Sequence, residues 1–334
     1  MVNKENNFLK IFFIIGRGRS GTTLLSKILD SNKNIFVANE SLFIISLWGK
    51  YKTTKFWTNK TLIDLQKDLF NDRWIKTWNL DKTVLEKRLS MLGQHTTYAH
   101  ICYEVLKLYG ESKKKEILLI GQKDTHFSLF LNELNDIFKE IKYIHITRDC
   151  RDNIVSYKGV PFDTNDTVSL AYRWKVHNST ILEFKSKHMN NIKTIKYEDI
   201  IDDIENTSKD ICDFLDVEYD SHMLEYHNNH DKVVFDHLIN TTKPIDKSKK
   251  DNWKNKLTDI DLENIQYVSG ETMHTLGYRI KSKGSCSIRC KLYLLYGFTI
   301  TMLEKILFKL PFSLRAFILE TYRKKTESEV IKID

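Results

Sequence analysis

Residues 11 to 23, Ile11-Phe12-Phe13-Ile14-Ile15-Gly16-Arg17-Gly18-Arg19-Ser20-Gly21-Thr22-Thr23, constrain this chain more than any other stretch. Five successive apolar residues read as a strand buried on both faces, the pattern of a parallel sheet. Leu24, Leu25, Ile28 and Leu29 follow at helical spacing, so the segment is strand, loop and helix. Glycines let the loop turn tightly and present N–H groups to an anion. The positive end of the helix dipole adds to the attraction. The unit predicts an α/β fold whose first loop binds phosphate.

The bulk properties agree without deciding. A 334-residue chain holds one large α/β domain or two small ones, and 41% hydrophobic with 29% charged residues is a globular composition. A net charge of +8 favours an anionic partner. Nucleic acid, a membrane surface and a polyanionic cofactor satisfy charge equally, and the loop favours the cofactor over nucleic acid. The five cysteines, Cys102, Cys150, Cys212, Cys286 and Cys290, are scattered and odd in number, which fits a reducing compartment rather than a disulfide framework. The apolar run after Met1 to Leu9 is too short to span a bilayer and ends in the loop, so neither signal nor anchor is expected, and a cytoplasmic location is.

Gly16 and Gly21 stand five apart, as in the nucleotide-triphosphate loop G-x-x-x-x-G-K-[ST], but Thr22 takes the place of its lysine. The stretch Arg19-Ser20-Gly21-Thr22-Thr23 closely resembles the loop of the sulfotransferases that use 3′-phosphoadenosine 5′-phosphosulfate (PAPS), where it cradles the 5′-phosphosulfate. The resemblance implies cofactor contacts at Arg17, Gly18, Arg19, Ser20, Gly21, Thr22 and Thr23. It implies no metal, because arginine and lysine supply the positive charge.

Ile35 to Glu40 reads as a second strand delivering Glu40 to the carboxyl edge of the sheet, where ligands of parallel α/β proteins bind. Glu40 lies 21 residues after Arg19. This resembles the branch of the family, including tyrosylprotein sulfotransferases, in which a glutamate so placed deprotonates the acceptor hydroxyl. The competing reading makes Glu40 a capping acid for a helix over 41–48. Residues 41 to 110, with Trp48, Trp57, Trp74 and Trp78, predict a helical insertion whose aromatics are core.

Lys113 to Lys115 reads as a solvated run before a strand over Ile117 to Ile120, with Lys123 just past its end. There Lys123 is placed to neutralise charge on a moving sulfuryl group. Thr125 stands where the family often has proline, and Lys123-Asp124-Thr125-His126 resembles the Lys-Thr-His of cytosolic sulfotransferases with one extra residue, which makes His126 a second candidate base. Lys142 to Thr147 reads as the next strand, and His145 within it as a core residue. Arg148 and Ser156, eight apart, match the spacing of the family's 3′-phosphate site, where guanidinium forks and a hydroxyl grip a dianion. Ile192 to Tyr197 reads as a further strand, and Tyr197-Glu198-Asp199 resembles the family's Tyr-Glu-Asp, with the tyrosine near adenine or ribose.

His222, His227, His230 and His237 fit no helix-borne metal spacing and read as a polar connector. Thr241 to Asn255 resembles the family's late basic loop over the 3′-phosphate and adenine. Thr258 with Asp261 reads as a helix start and Gly277-Tyr278 as its close. The resemblance covers roughly residues 10 to 280 and implies a P-loop-like parallel sheet flanked by helices. A sulfotransferase domain over 8–280 is expected, then an amphipathic C-terminal helical extension over 281–334. That extension, interrupted at Pro311, is expected to lie on an anionic membrane surface or to pack on the domain or a second copy. The function implied is sulfuryl transfer from PAPS to an acceptor hydroxyl on a carbohydrate, glycolipid or small metabolite. The rivals are a phosphate-loop kinase and a non-catalytic nucleotide-binding module.

Overall fold

The computed structural model describes residues 10–114, 116–160, 163–228, 233–235, 243–280, 288–310, 314, 318 and 330–332. His230, His237, Thr241, Thr242 and Cys286 lie outside the described residues.

The apolar run forms β1 (Ile11–Ile15), buried along its whole length. It leads into α1 (Thr22–Asp30) and β2 (Ile35–Ala38). The expected insertion follows as five helices: α2 (Phe43–Tyr51), α3 (Asn59–Asn71), α4 (Arg73–Thr77), α5 (Lys82–Met91) and α6 (Tyr98–Glu111). Next come β3 (Leu119–Lys123), a short 3-10 turn, α7 (Leu131–Ile137), β4 (Lys142–Thr147), α8 (Cys150–Tyr157) and α9 (Thr167–Lys187). Then β5 (Ile192–Lys196), α10 (Tyr197–Asp202) and α11 (Ile204–Leu215) complete the sheet layer. The last described elements are β6 (Val233–Phe235), α12 (Asp259–Thr275), α13 (Ile288–Lys309) and β7 (Val330–Lys332). β6 and β7 pair antiparallel, apart from the main sheet.

The main sheet has the order β2-β3-β1-β4-β5, and every neighbouring pair is parallel. β1 therefore stands at the centre. The chain fills one side of it with β2 and β3 before crossing to β4 and β5, so the crevice at the carboxyl end of β1 lies where the strand order reverses. Alternation along β1 sends Phe13 and Ile15 into the core shared with α2 and α6, and Phe12 and Ile14 into the core beneath α1 and α11. Burial on both faces explains why the strand is an unbroken apolar run.

Two expectations shift. The third strand begins at Leu119 rather than Ile117, since Leu118 is half exposed, and it runs on to include Lys123. The lysine run is not wholly solvated either. Lys114 Nζ donates to the carbonyls of Asp30, Asn32 and Ile35 and pairs with Asp30, holding the end of α1 to the start of β2. Trp57 and Trp78 are core, Trp78 stacking on Tyr109 at 4.4 Å. The Thr258–Asp261 capping box opens α12, and Gly277, at φ 74°, follows its last turn. α13 is one 22-residue helix ending before Pro311. Among the described residues no helix is long and apolar enough to cross a membrane; Cys102, Cys150 and Cys212 are free and buried, and Cys290 is buried.

Candidate active site

The loop after β1 is shaped by what packs under it. Gly21, the residue before α1, has φ 94°, and a Cβ there would meet the Tyr197 ring at 2.5 Å. A Cβ on Gly18 would lie 2.3 Å from Tyr157 Oη, so both positions demand glycine. Arg19 takes a left-handed φ of 62°, and the N–H of Ser20 donates to the Arg17 carbonyl at 3.2 Å. Asn153 Nδ2 clasps the bend, donating to the Gly18 carbonyl at 2.9 Å and Ser20 Oγ at 3.1 Å. The α1 N-terminus has neither a side-chain cap nor an acid in its first turn, which leaves its N–H groups and dipole for an anion. Ser20 and Thr22 are buried, Ser20 Oγ facing Asn153 and so serving the loop's shape.

Beside this loop β3 runs parallel to β1, with Lys123 in register with Ile14. Lys123 Nζ donates to Thr23 Oγ1 at 3.0 Å and to the Glu40 carboxylate. Lys123 is 5% exposed, whereas the Glu40 side chain is 36% exposed and open to a second reactant. The capping alternative for Glu40 does not occur. α2 begins at Phe43 after Leu42, without a side-chain cap, and the Glu40 carboxylate is held by Lys123.

On the other side, Arg19 Nε donates to Ser156 Oγ at 3.1 Å. Arg148 lies over the Tyr197 ring at 4.5 Å and donates to the carbonyls of Arg19 at 3.3 Å and Lys249 at 2.7 Å. Among the described residues Arg148 Nε is buried without a hydrogen-bond partner, a donor that an anionic ligand would satisfy. Burial lowers the Arg19 guanidinium from its usual range, and nearby Arg148 adds to this. An anion between these arginines would reverse both effects. The late basic loop reaches the same place. Asp152 accepts the N–H groups of Asp251 at 2.8 Å and Trp253 at 2.9 Å, which seats Lys249 beside Arg148. Glu198 accepts from the Asp149 N–H and the Tyr278 hydroxyl, fixing the exit of β4 to the end of α12.

Arg17 is placed differently. It is 5% exposed, stacks on Tyr157 at 4.3 Å and pairs with Asp163 at 3.3 Å. Asp163 also accepts from Arg173 at 2.6 Å, and Arg173 in turn pairs with Glu304 of α13. The Arg17 side chain thus braces the loop from beneath. Asn153, Tyr157, Asp163 and Arg173 were not singled out in the sequence, because nothing in their spacing marks them. In the sequence, the glycine at position 18 is the trace of Tyr157, whose Oη would lie 2.3 Å from a Cβ there.

The histidines separate by environment. His145 is fully buried, bonded to Asn178 at 3.1 Å, and burial pushes its pKa down to about 4, in keeping with a core residue. Burial alone would lower His126 as well. Its 3.0 Å contact with Asp124 Oδ1 and the carboxylates of Glu304 and Glu40 outweigh that and hold its pKa above the usual value. His222 pairs with Asp220 at 2.7 Å. Among the described residues no group of three His, Cys, Asp or Glu is arranged to hold a metal ion.

With this geometry in view, comparison with known proteins is informative. A sequence model of the sulfotransferase family matches residues 12–221. A curated protein of Caenorhabditis briggsae, named as a candidate protein-tyrosine sulfotransferase, is 23% identical over 227 residues, spanning 66% of this chain and 71% of that protein. Among solved structures, the sulfotransferase domain of the curacin biosynthetic pathway has a TM-score of 0.57 at 20% identity, covering 81% of this chain and 98% of its own. The sulfotransferase domain of the Synechococcus PCC 7002 olefin synthase gives 0.56 at 19% identity, covering 81% and 95%.

Proposed function

The chain belongs to the sulfotransferase family, and from that premise we propose that it moves a sulfuryl group from PAPS to an acceptor hydroxyl through residues 8–280, with 281–334 as an extension. The observation that carries this reading is Arg19. Its side chain reaches Ser156 while its backbone belongs to the loop at the α1 N-terminus, so one residue joins two anion pockets at neighbouring strand ends. A nucleotide with phosphate at both its 5′ and 3′ positions matches that pair.

PAPS supplies the activated sulfuryl group. The N–H groups ahead of α1, with Thr22 and Thr23, would hold its 5′ end. Arg148, Ser156 and the loop carrying Lys249 would hold the 3′-phosphate, and Tyr197 would bound the nucleoside. Arg17 would act through the loop it braces. Glu40 takes the proton from the acceptor hydroxyl, reaching it through its exposed face. Lys123 and Arg19 would stabilise charge spreading over the sulfuryl oxygens and the departing phosphate, a preorganised electrostatic contribution of the largest kind. Glu40 is preferred to His126 as the base, because Glu40 shares Lys123 with Thr23 whereas His126 Nδ1 is engaged by Asp124 Oδ1 at 3.0 Å.

The acceptor is a hydroxyl on a carbohydrate, glycolipid or small metabolite, and free buried cysteines support a reducing, cytoplasmic setting. The test is calorimetric titration with 3′-phosphoadenosine 5′-phosphate, adenosine 5′-phosphate and ATP. The bisphosphate should bind at least about tenfold more tightly than either competitor, the margin of one charge-assisted contact. Equal or tighter binding of ATP would overturn the assignment.

A further inference from the structure

We propose that the outer face of α13 docks on an anionic lipid bilayer. The inference stands apart from the donor and acceptor assignments. One side of the helix is committed to the domain. Cys290, Gly297 and Thr301 are buried, and a Cβ on Gly297 would approach Ser169 Cα to 3.2 Å, so that glycine lets the helix press against α9. At 100° per residue the opposite side carries Ile288, Leu292, Leu295, Met302, Leu303 and Ile306, all exposed, Ile288 to 81% and Leu303 to 64%. An apolar stripe broken only at Thr299 and running from Ile288 to Ile306 of a 22-residue helix, about 33 Å long at 1.5 Å per residue, is far more than scattered surface leucines.

Charge selects the occupant. The helix sequence holds Arg289, Lys291, Lys305 and Lys309 against a single acid, Glu304, and that acid turns inward to Arg173. Lys291 is exposed at the margin of the stripe. An apolar stripe with exposed Lys291 at its margin and Lys175 in the adjoining groove suits a plane of anionic headgroups above acyl chains, with lysines snorkelling to the phosphates. Two copies of the chain joined along α13 would bring like-charged lysines together while the helix's own acid, Glu304, stays committed to Arg173. Next to the stripe, Tyr172, Tyr267, Leu294 and Phe298 line an open groove of about 510 Å³ rimmed by Lys175, room for part of an acyl chain.

The experiment is flotation of the full chain with vesicles of equal parts phosphatidylglycerol and phosphatidylcholine, and with phosphatidylcholine alone. The protein should float with the anionic vesicles, lose binding as salt rises, and stay in solution with the neutral ones. Leu295→Ser combined with Leu303→Ser should lower the partition coefficient tenfold or more, and Lys291→Glu should lower it severalfold. Tm and 3′-phosphoadenosine 5′-phosphate affinity should be unchanged in Lys291→Glu, which keeps the α9 contacts intact. If the wild-type chain ignores anionic vesicles, or sediments as a dimer that Lys291→Glu or the double serine variant dissociates, the proposal is overturned.

Discussion

Lys123 Nζ lies between Thr23 Oγ1, at 3.0 Å, and the Glu40 carboxylate. α1, β3 and the segment just after β2 thereby meet at one buried ammonium group. Replacing Glu40 with glutamine keeps size and hydrogen bonding but removes the proton acceptor, and kcat should fall about 10²- to 10⁴-fold with donor affinity retained. Initial rates of sulfate transfer at varied donor concentration check this. A kcat within a factor of about two of the wild type would remove Glu40 from the mechanism.

Lys123→Met should act on the same step for a different reason. If Lys123 stabilises the transferring group as proposed, the change deletes that positive charge and kcat should drop about 10²- to 10³-fold, the cost of one preorganised donor. Donor affinity should change much less than kcat, which single-turnover and binding measurements together separate.

Arg148→Ala should act on binding. One charge-assisted phosphate contact is worth about 1.5–3 kcal/mol, so affinity for 3′-phosphoadenosine 5′-phosphate should fall about ten- to a hundredfold. Affinity for adenosine 5′-phosphate should hardly move, since that ligand offers the pocket nothing. Equal losses for the two nucleotides would show that Arg148 serves the 5′ end or the fold.

Gly21→Ala combines a left-handed backbone with a Cβ 2.5 Å from the Tyr197 ring. We expect about 1–3 kcal/mol of destabilisation, seen as a lower Tm, and weaker nucleotide binding as the loop and Tyr197 part. A variant of wild-type Tm and affinity would mean the loop relaxes freely.

Glu198 gives a pH dependence. Burial raises its pKa above the usual carboxylate value, despite its bonds to the Asp149 N–H and the Tyr278 hydroxyl. A raised folded-state pKa means the fold favours the protonated form. That contribution is complete below the unfolded pKa and is lost as pH rises through the folded one. Relative to Glu198→Gln, the wild type should therefore gain Tm as pH falls from about 7 to about 4. A constant difference in Tm over that range would contradict the sign.

Much of this was legible along the chain because the determinants are local. β1, the glycine loop and α1 follow from an apolar run, two glycines and helical spacing, whereas only the resemblance to the family singled out Arg148 and Ser156. Other features depend on residues distant in sequence. The bond from Asn153 to the Gly18 carbonyl, the seating of Lys249 beside Arg148 and the pairing of Asp163 with Arg17 are tertiary contacts, and no periodicity encodes them. Lys114 belongs with these. Within a lysine run its charge suggests solvent, and only the approach of the end of α1, the turn after it and the start of β2 supplies the three carbonyls it holds.

Glu304, Arg173, Asp163 and Arg17 make an unbroken line of alternating charge from α13 to the loop before α1. A load on the outside of α13 is therefore borne, three ion pairs later, by the strand-to-helix bend ahead of α1. Tail and catalytic crevice share a single girder, and whatever steadies one end of it stiffens the other.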